Sequence, residues 1–219
     1  MKKLFVIIGI LAVIFFGMVI YKNTANKSNV TVQEVENIEK YISKIYMWKE
    51  ITNQALPTFE NINDADELWI WEVVKKNLEE FELSYDDIQN KAKELFGVEF
   101  SKQFPKEGTK SFIYDETIDK YITTQTDLDT QEDTFLLSDI KKSKNEYIVE
   151  ITEYLEDYSL EESIIIRNIQ GEEIGKVNTN DNESSIQNLV KNNSSRFSKK
   201  KVYLKKEQEK LVVEKVEDI

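Results

Sequence analysis

Asp127, Asp129, Glu132 and Asp133 place four carboxylates within seven residues, a density with which a loop can grip a hard cation. Read as a calcium loop from Asp127, however, the sixth position is Glu132, where the sharp turn needs glycine, and the twelfth is Ser138, which cannot close the site as a bidentate acid. The expectation is a solvated acidic loop. Asn178, Asn180, Asn182 and Glu183 imitate the same spacing with mostly neutral groups and fit it less well. Ser138 to Lys141 and Ser198 to Lys201 both match the S-x-x-K pattern of serine acylation, but each falls where strand is expected and that chemistry needs a helix. Gly108-Thr109-Lys110 lacks the leading glycine of a phosphate loop.

What is missing narrows the chemistry further. The 219 residues contain no histidine and no cysteine. Histidine is the one side chain that titrates near neutrality without perturbation, so Ser-His-Asp triads, His-ligated zinc and most general acid/base arrangements are excluded. Thiol nucleophiles, zinc-thiolate centres and disulfides go with the cysteines. Forty-one acids make some close carboxylate pair inevitable, and paired carboxylates can hydrolyse glycosides, but nothing in the sequence marks one pair out. The sequence therefore points to no catalytic residues, no metal site and no cofactor.

The charge is distributed unevenly. Arg196, Lys199, Lys200, Lys201, Lys205 and Lys206 form a run of six cations without an acid, leaving 23 cations against 41 acids elsewhere and a net charge of −12 overall. Such a chain repels phosphate backbones, so a nucleic-acid partner is not expected. The run has two readings. Its lysines either contact an anionic surface near a membrane, or they protect the edge of a sheet from pairing with another chain.

The first twenty-one residues decide location. Lys2 and Lys3 precede an unbroken apolar run from Leu4 to Tyr21. Eighteen residues at helical rise span about 27 Å, close to the hydrocarbon thickness of a bilayer. A secretory signal usually has a shorter apolar region and a small-x-small cleavage site, whereas Ala25 is preceded two positions earlier by Asn23. The reading is an uncleaved single-pass anchor over 1–21, a tether over 22–30 and an extracytoplasmic domain over 31–219. Basic residues before the anchor hold the N-terminus in the cytoplasm.

The domain reads as helices followed by hairpins. Thr31 with Glu34 makes a capping box and Val30 with Val35 a hydrophobic staple; Val35, Ile38, Ile42, Ile45 and Trp48 then recur on one helical stripe. A second helix is expected after Asn63 or Asp64, burying Leu68, Trp71, Val74, Leu78 and Phe81. Trp69 lies about 200° around it from Trp71, so the two indoles cannot face one core. A third helix starts at Ser84, capped with Asp87, and stops at Gly97. From residue 110 the apolar period becomes two. Four hairpins are expected, at 112–124, 135–155, 164–177 and 202–216, with a short helix near Ile186 to Val190 in the loop before the last.

This order predicts an α+β fold: a transmembrane helix, then about three helices (31–97) packed on an antiparallel sheet of consecutive hairpins (110–217). The function it suggests is a membrane-anchored binding or interaction module without catalysis, whose partner is a protein or other component of the envelope. A carboxylate-dependent cell-wall hydrolase and a structural subunit of an envelope complex are the alternatives.

Overall fold

The structure, a computed structural model, describes residues 30–47, 55–123, 131–181 and 183–219. The apolar run Leu4 to Tyr21, the tether up to residue 29, Trp48, Asp127 and Asp129 lie outside these residues, as do the side chains of Glu132, Asp133 and Glu183. Among the described residues no helix is long and apolar enough to cross a membrane.

The fold is α+β, with four α-helices and two antiparallel sheets among the described residues. Helix α1 (Val32–Ile45) begins where the capping box puts it. Thr31 accepts from the Glu34 amide, and the Glu34 carboxylate accepts from the Thr31 amide at 2.9 Å. Its buried stripe is Val35, Ile38, Tyr41, Ile42 and Ile45. Helix α2 (Glu67–Lys76) starts later than expected because a 3₁₀ turn over Ile62–Asp64 precedes it and Asp66 caps it. Helix α3 (Tyr85–Phe96) has the Ser84–Asp87 box and ends at Gly97, whose φ of +91° suits glycine. A side chain there would press on Val212 and Glu207.

Helix α2 corrects the sequence reading. Trp69, Ile70, Trp71, Glu72, Val73 and Val74 are all buried, whereas Phe81 is 54 % exposed and the helix stops before Leu78. A helix that is covered on every side has no single apolar stripe to read. Both indoles therefore face one core, contrary to the expectation from their separation of about 200°, because Phe96 and Phe100, with ring centroids 5.3 Å apart, join the rings around one to those around the other. Trp69 stacks between Phe59 and Phe96, and Trp71 meets Phe100 and Phe104 edge-on. Buried Glu72 finds a partner in the Ser111 hydroxyl.

The strands depart from one continuous sheet. β1 (Glu82–Leu83), β2 (Phe112–Asp115) and β3 (Lys120–Thr123) form a small sheet in the order β1-β3-β2. Its first strand lies inside the stretch expected to be purely helical, since two residues are too few to show a period. The larger sheet contains β4 (Gln131–Ser143), β5 (Glu146–Asp157), β6 (Ser163–Arg167), β7 (Glu173–Asn178), β8 (Ser198–Glu207) and β9 (Lys210–Asp218). β4 pairs along β5 on one side. On the other side β5 is shared, pairing β8 from Glu146 to Glu153 and β6 from Leu155 to Asp157. The sheet thus forks into β8-β9 and β6-β7 branches. Helix α4 (Glu183–Asn192) covers the second branch, and Leu189 packs so closely on Gly175 that a Cβ would sit 2.8 Å from it.

One face of the β5-β8-β9 region carries Val149, Ile151, Val202, Leu204, Val213 and Val216 into the core. The other carries Glu150, Lys201, Tyr203, Lys215 and Glu217 in cross-strand pairs, as expected of an antiparallel sheet with one wet side. The layers are joined by Tyr41, which donates to the Leu95 carbonyl at 2.9 Å and accepts from the Val213 amide at 2.8 Å. That amide lies beside a bulge in β9, where Tyr203 opposes Lys215 but Leu204 opposes Val213.

Candidate functional site

Among the described residues, those singled out by pattern do not converge. Ser138 is the extra residue of a bulge in β4, and its hydroxyl donates to the Glu150 carbonyl at 3.0 Å. Lys141 of the same motif lies 3.6 Å from Asp139 and 4.0 Å from Glu150. The strand setting gives Ser138 no base. Gly108 and Thr109 fold back onto β2, with a Cβ on Gly108 falling 2.2 Å from the Phe112 carbonyl, so their amides face protein and not a phosphate. Asn178 forms a local turn with Asn180. Among the described residues no three acids gather as a metal site would require.

The cationic run is spread over a turn and a strand. Arg196 ends a 3₁₀ turn over Ser194–Arg196 and pairs with Glu172 at 2.7 Å. The five lysines lie on β8, which is interior, between β5 and β9. The edge-strand reading is therefore overturned: β5 recruits β8 from far along the chain, and β9 closes the outer side. Lys200 points inward, with its side chain 8 % exposed, 2.7 Å from Asp218 and 3.9 Å from buried Glu153. Lys201 meets Glu217, and Lys205 meets Glu207 and Glu214. Lys199 has no carboxylate partner among the described residues. Lys206 leans on Glu209 at 2.5 Å and lines a groove.

That groove, about 290 Å³, is the candidate site. Helix α1 supplies Glu34, Asn37, Ile38, Lys40, Tyr41 and Lys44; α3 supplies Glu94 and Leu95. Tyr147 of β5 and the β8-β9 turn, from Lys206 to Leu211, complete it. Helical spacing explains the α1 wall, because residues three and four apart share a side. Ile38, Leu95 and Leu211 give the floor an apolar character, and lysines form much of the rim.

Each acid of the groove is already engaged. Burial pushes the Glu34 carboxyl upward, but the Lys142 ammonium, the Thr31 amide and the Tyr147 hydroxyl together hold it at about 2. The distances are 2.5 Å to Lys142 and 2.7 Å to Tyr147. Burial and this same carboxylate raise the Tyr147 hydroxyl to about 12. Glu94 is lowered first by its bond to Lys91, against burial, and then by the fields of Lys91, Lys210 and Lys44. Glu209 sits on Lys206. Lys40, Lys44 and Lys210 have no ion-pair partner among the described residues. Chemically the groove holds point charges over an apolar floor, which suits binding an anion. The sequence signal for it was slight: Lys40 and Lys44 one helical turn apart, with Lys210 brought up only by the fold.

On the far side of α1, burial and then the neighbouring Glu36 raise the Glu39 carboxyl from 4.5 to about 7. Near neutrality the folded chain keeps a proton there that the unfolded chain releases. That contribution is complete below the unfolded value and lost as pH rises through the folded one. Glu39→Gln, neutral in both states, is expected to match the parent at about pH 4 and to be more stable by up to about 2 kcal/mol at about pH 8. Thermal denaturation at the two pH values checks this.

No family model, no curated protein and no solved structure matches this chain.

Proposed function

We propose that this protein is a single-pass, membrane-anchored binding module whose domain faces out of the cytoplasm and recognises its partner at the α1-α3-β9 groove without catalysing a reaction. The observation that carries this reading is the groove itself, where lysines without ion-pair partners rim an apolar floor on the first helix after the tether. The preceding apolar run Leu4 to Tyr21 supplies the anchor. A nine-residue tether over 22–30 reaches at most about 30 Å, which keeps the groove near the bilayer surface.

The test uses the full chain with a C-terminal epitope. It should remain with vesicles through an alkaline wash, and protease added to intact spheroplasts should remove the epitope. Release by the wash, or a protected epitope, overturns the placement. The second reading, a wall hydrolase, draws on Glu39, whose carboxyl near 7 could give up a proton at neutral pH. Turnover of wall glycan that disappears in Glu39→Gln would replace the binding reading with that one.

A further inference from the structure

We propose that the ligand group taken by the groove is a phosphate, held by Lys40, Lys44 and Lys210; the inference rests on the groove being the recognition face. These three ammonium groups come from two elements far apart in sequence, α1 and the start of β9, and all three line one concavity. Some lysines of this acidic protein have a carboxylate at hand, as Lys201, Lys205, Lys206 and Lys215 do, and others, such as Lys110, Lys144, Lys191 and Lys199, have none among the described residues. Lys40, Lys44 and Lys210 are of the second kind, and they differ from those four in lying together along one groove. The competing acids are held by other cations. Glu34 is held by Lys142, Glu209 by Lys206 and Glu94 by Lys91.

Charge type decides between anions. A planar carboxylate is best met by the fork of arginine, whereas lysine acts as a compact point charge that several oxygens of a tetrahedral phosphate can share. No arginine lines the groove. Lys40 and Lys44, at i and i+4, stand about 6 Å apart at their Cβ atoms, close enough for both to reach one phosphate from the same side. Ionised Glu34 guards one end and would repel the anion, so the phosphate belongs at the Lys44-Lys210 end. There it would share those two cations with Glu94, which Lys91 draws away. The chain's net charge of −12 does not forbid this, because charges beyond about 8 Å are screened at physiological salt while those in the groove are not.

Phosphate could arrive as a lipid headgroup or as the repeating diester of an envelope polymer, and the arms of one experiment separate these sources. The full chain is placed in neutral detergent, in phosphatidylcholine nanodiscs, or in nanodiscs containing phosphatidylglycerol. Lysine acetylation is mapped by mass spectrometry with and without inorganic phosphate or soluble poly(glycerol phosphate). Acetylation of Lys40, Lys44 and Lys210 should fall several-fold with a phosphate probe, while Lys110, Lys144 and Lys191 stay unchanged. Protection in detergent by the polymer identifies a diester chain, and protection confined to phosphatidylglycerol discs identifies a headgroup. Each supports the assignment.

The triple variant Lys40→Gln/Lys44→Gln/Lys210→Gln should bind the protecting probe roughly 100-fold more weakly, at about one decade or less per lysine. A control triple, Lys110→Gln/Lys144→Gln/Lys191→Gln, should bind like the parent, and unchanged melting of both variants shows that they fold. Unprotected groove lysines in every arm, or equal weakening by the two triples, overturns the phosphate assignment. Because the detergent arm needs no anchor, its failure is distinct from a failure of the membrane placement, which the alkaline wash and protease read separately.

Discussion

Lys200→Met is expected to lower the free energy of unfolding by about 3–5 kcal/mol, the cost of leaving a buried charge without its partner. Methionine fills nearly the same volume as the lysine stem, so packing changes little and the loss reports charge. Lys200 lies opposite Asp218 in the β8-β9 register and diagonal to Glu153, which is paired with Ser198 across β5-β8. Glu153 is 2 % exposed and Lys200 6 %. One Glu153 oxygen accepts from the Tyr46 hydroxyl at 3.2 Å, while Lys200 lies 3.9 Å from the other. Asp218, with a side chain 72 % exposed, can turn to water when Lys200 is gone; Glu153 cannot. The double variant Lys200→Met/Glu153→Gln should therefore regain most of the loss. Urea titration of the parent and the two variants, read at constant m-value, checks both parts. A loss under about 1 kcal/mol for Lys200→Met would show that the exposed partner, not the buried one, dominates the lysine's energetics.

This buried pair also shows where sequence reading stops. Features that depend on three or four neighbouring residues were legible: the boxes at Thr31-Glu34 and Ser84-Asp87, and the α+β order itself. The hairpins were legible too, although the polar run Lys141 to Glu146, which reads as the turn of the second, is mostly strand: the turn between β4 and β5 is only Lys144-Asn145, with Lys144 at φ +55°. Six polar residues in a row look like a loop, but two strands with one wet side can carry them through. Strand order was not legible. A lysine-rich strand is the usual guard of an edge, and β8 reads as one until its pairing with β5, some fifty residues earlier, places it inside. Lys200 then becomes a core residue and Lys201 a surface one, purely through the alternation of strand side chains.

The groove was less visible still. Its walls come from α1, α3, β5 and the β8-β9 turn, and only the Lys40-Lys44 spacing on α1 is local. The cationic run that drew attention in the sequence contributes just Lys206 to it. A run of like charge records what a strand or turn must balance, whereas a site records which charges the fold leaves unbalanced. Lys201 and Lys205 have carboxylates across the sheet; Lys40, Lys44 and Lys210 do not, among the described residues.

Trp69→Ala should be equally damaging, by about 3–5 kcal/mol, for a reason of packing and not charge. Trp69 is fully buried, and its ring centroid lies 5.8 Å from that of Phe59 and 5.7 Å from that of Phe96. Phe59 in turn bridges to Val216 of β9, and Phe96 ends α3 beside Gly97. Removing the indole thus empties the place where α2, α3 and the sheet meet. It also leaves the Ile45 carbonyl at the end of α1 without the indole N–H that reaches it at 3.2 Å. Trp69→Phe keeps much of the volume but not that donor, so it should cost only about 1–3 kcal/mol, and the difference between the two measures the cavity. The groove shares α1 and α3 with this junction, so Trp69→Ala should also weaken ligand retention there by loosening both walls, while Lys40→Gln should weaken it without changing stability. Denaturation and binding measured on the same preparations separate the two. If Trp69→Ala melts like the parent, the helices are held to the sheet by Tyr41 and its two hydrogen bonds and not by the aromatic junction.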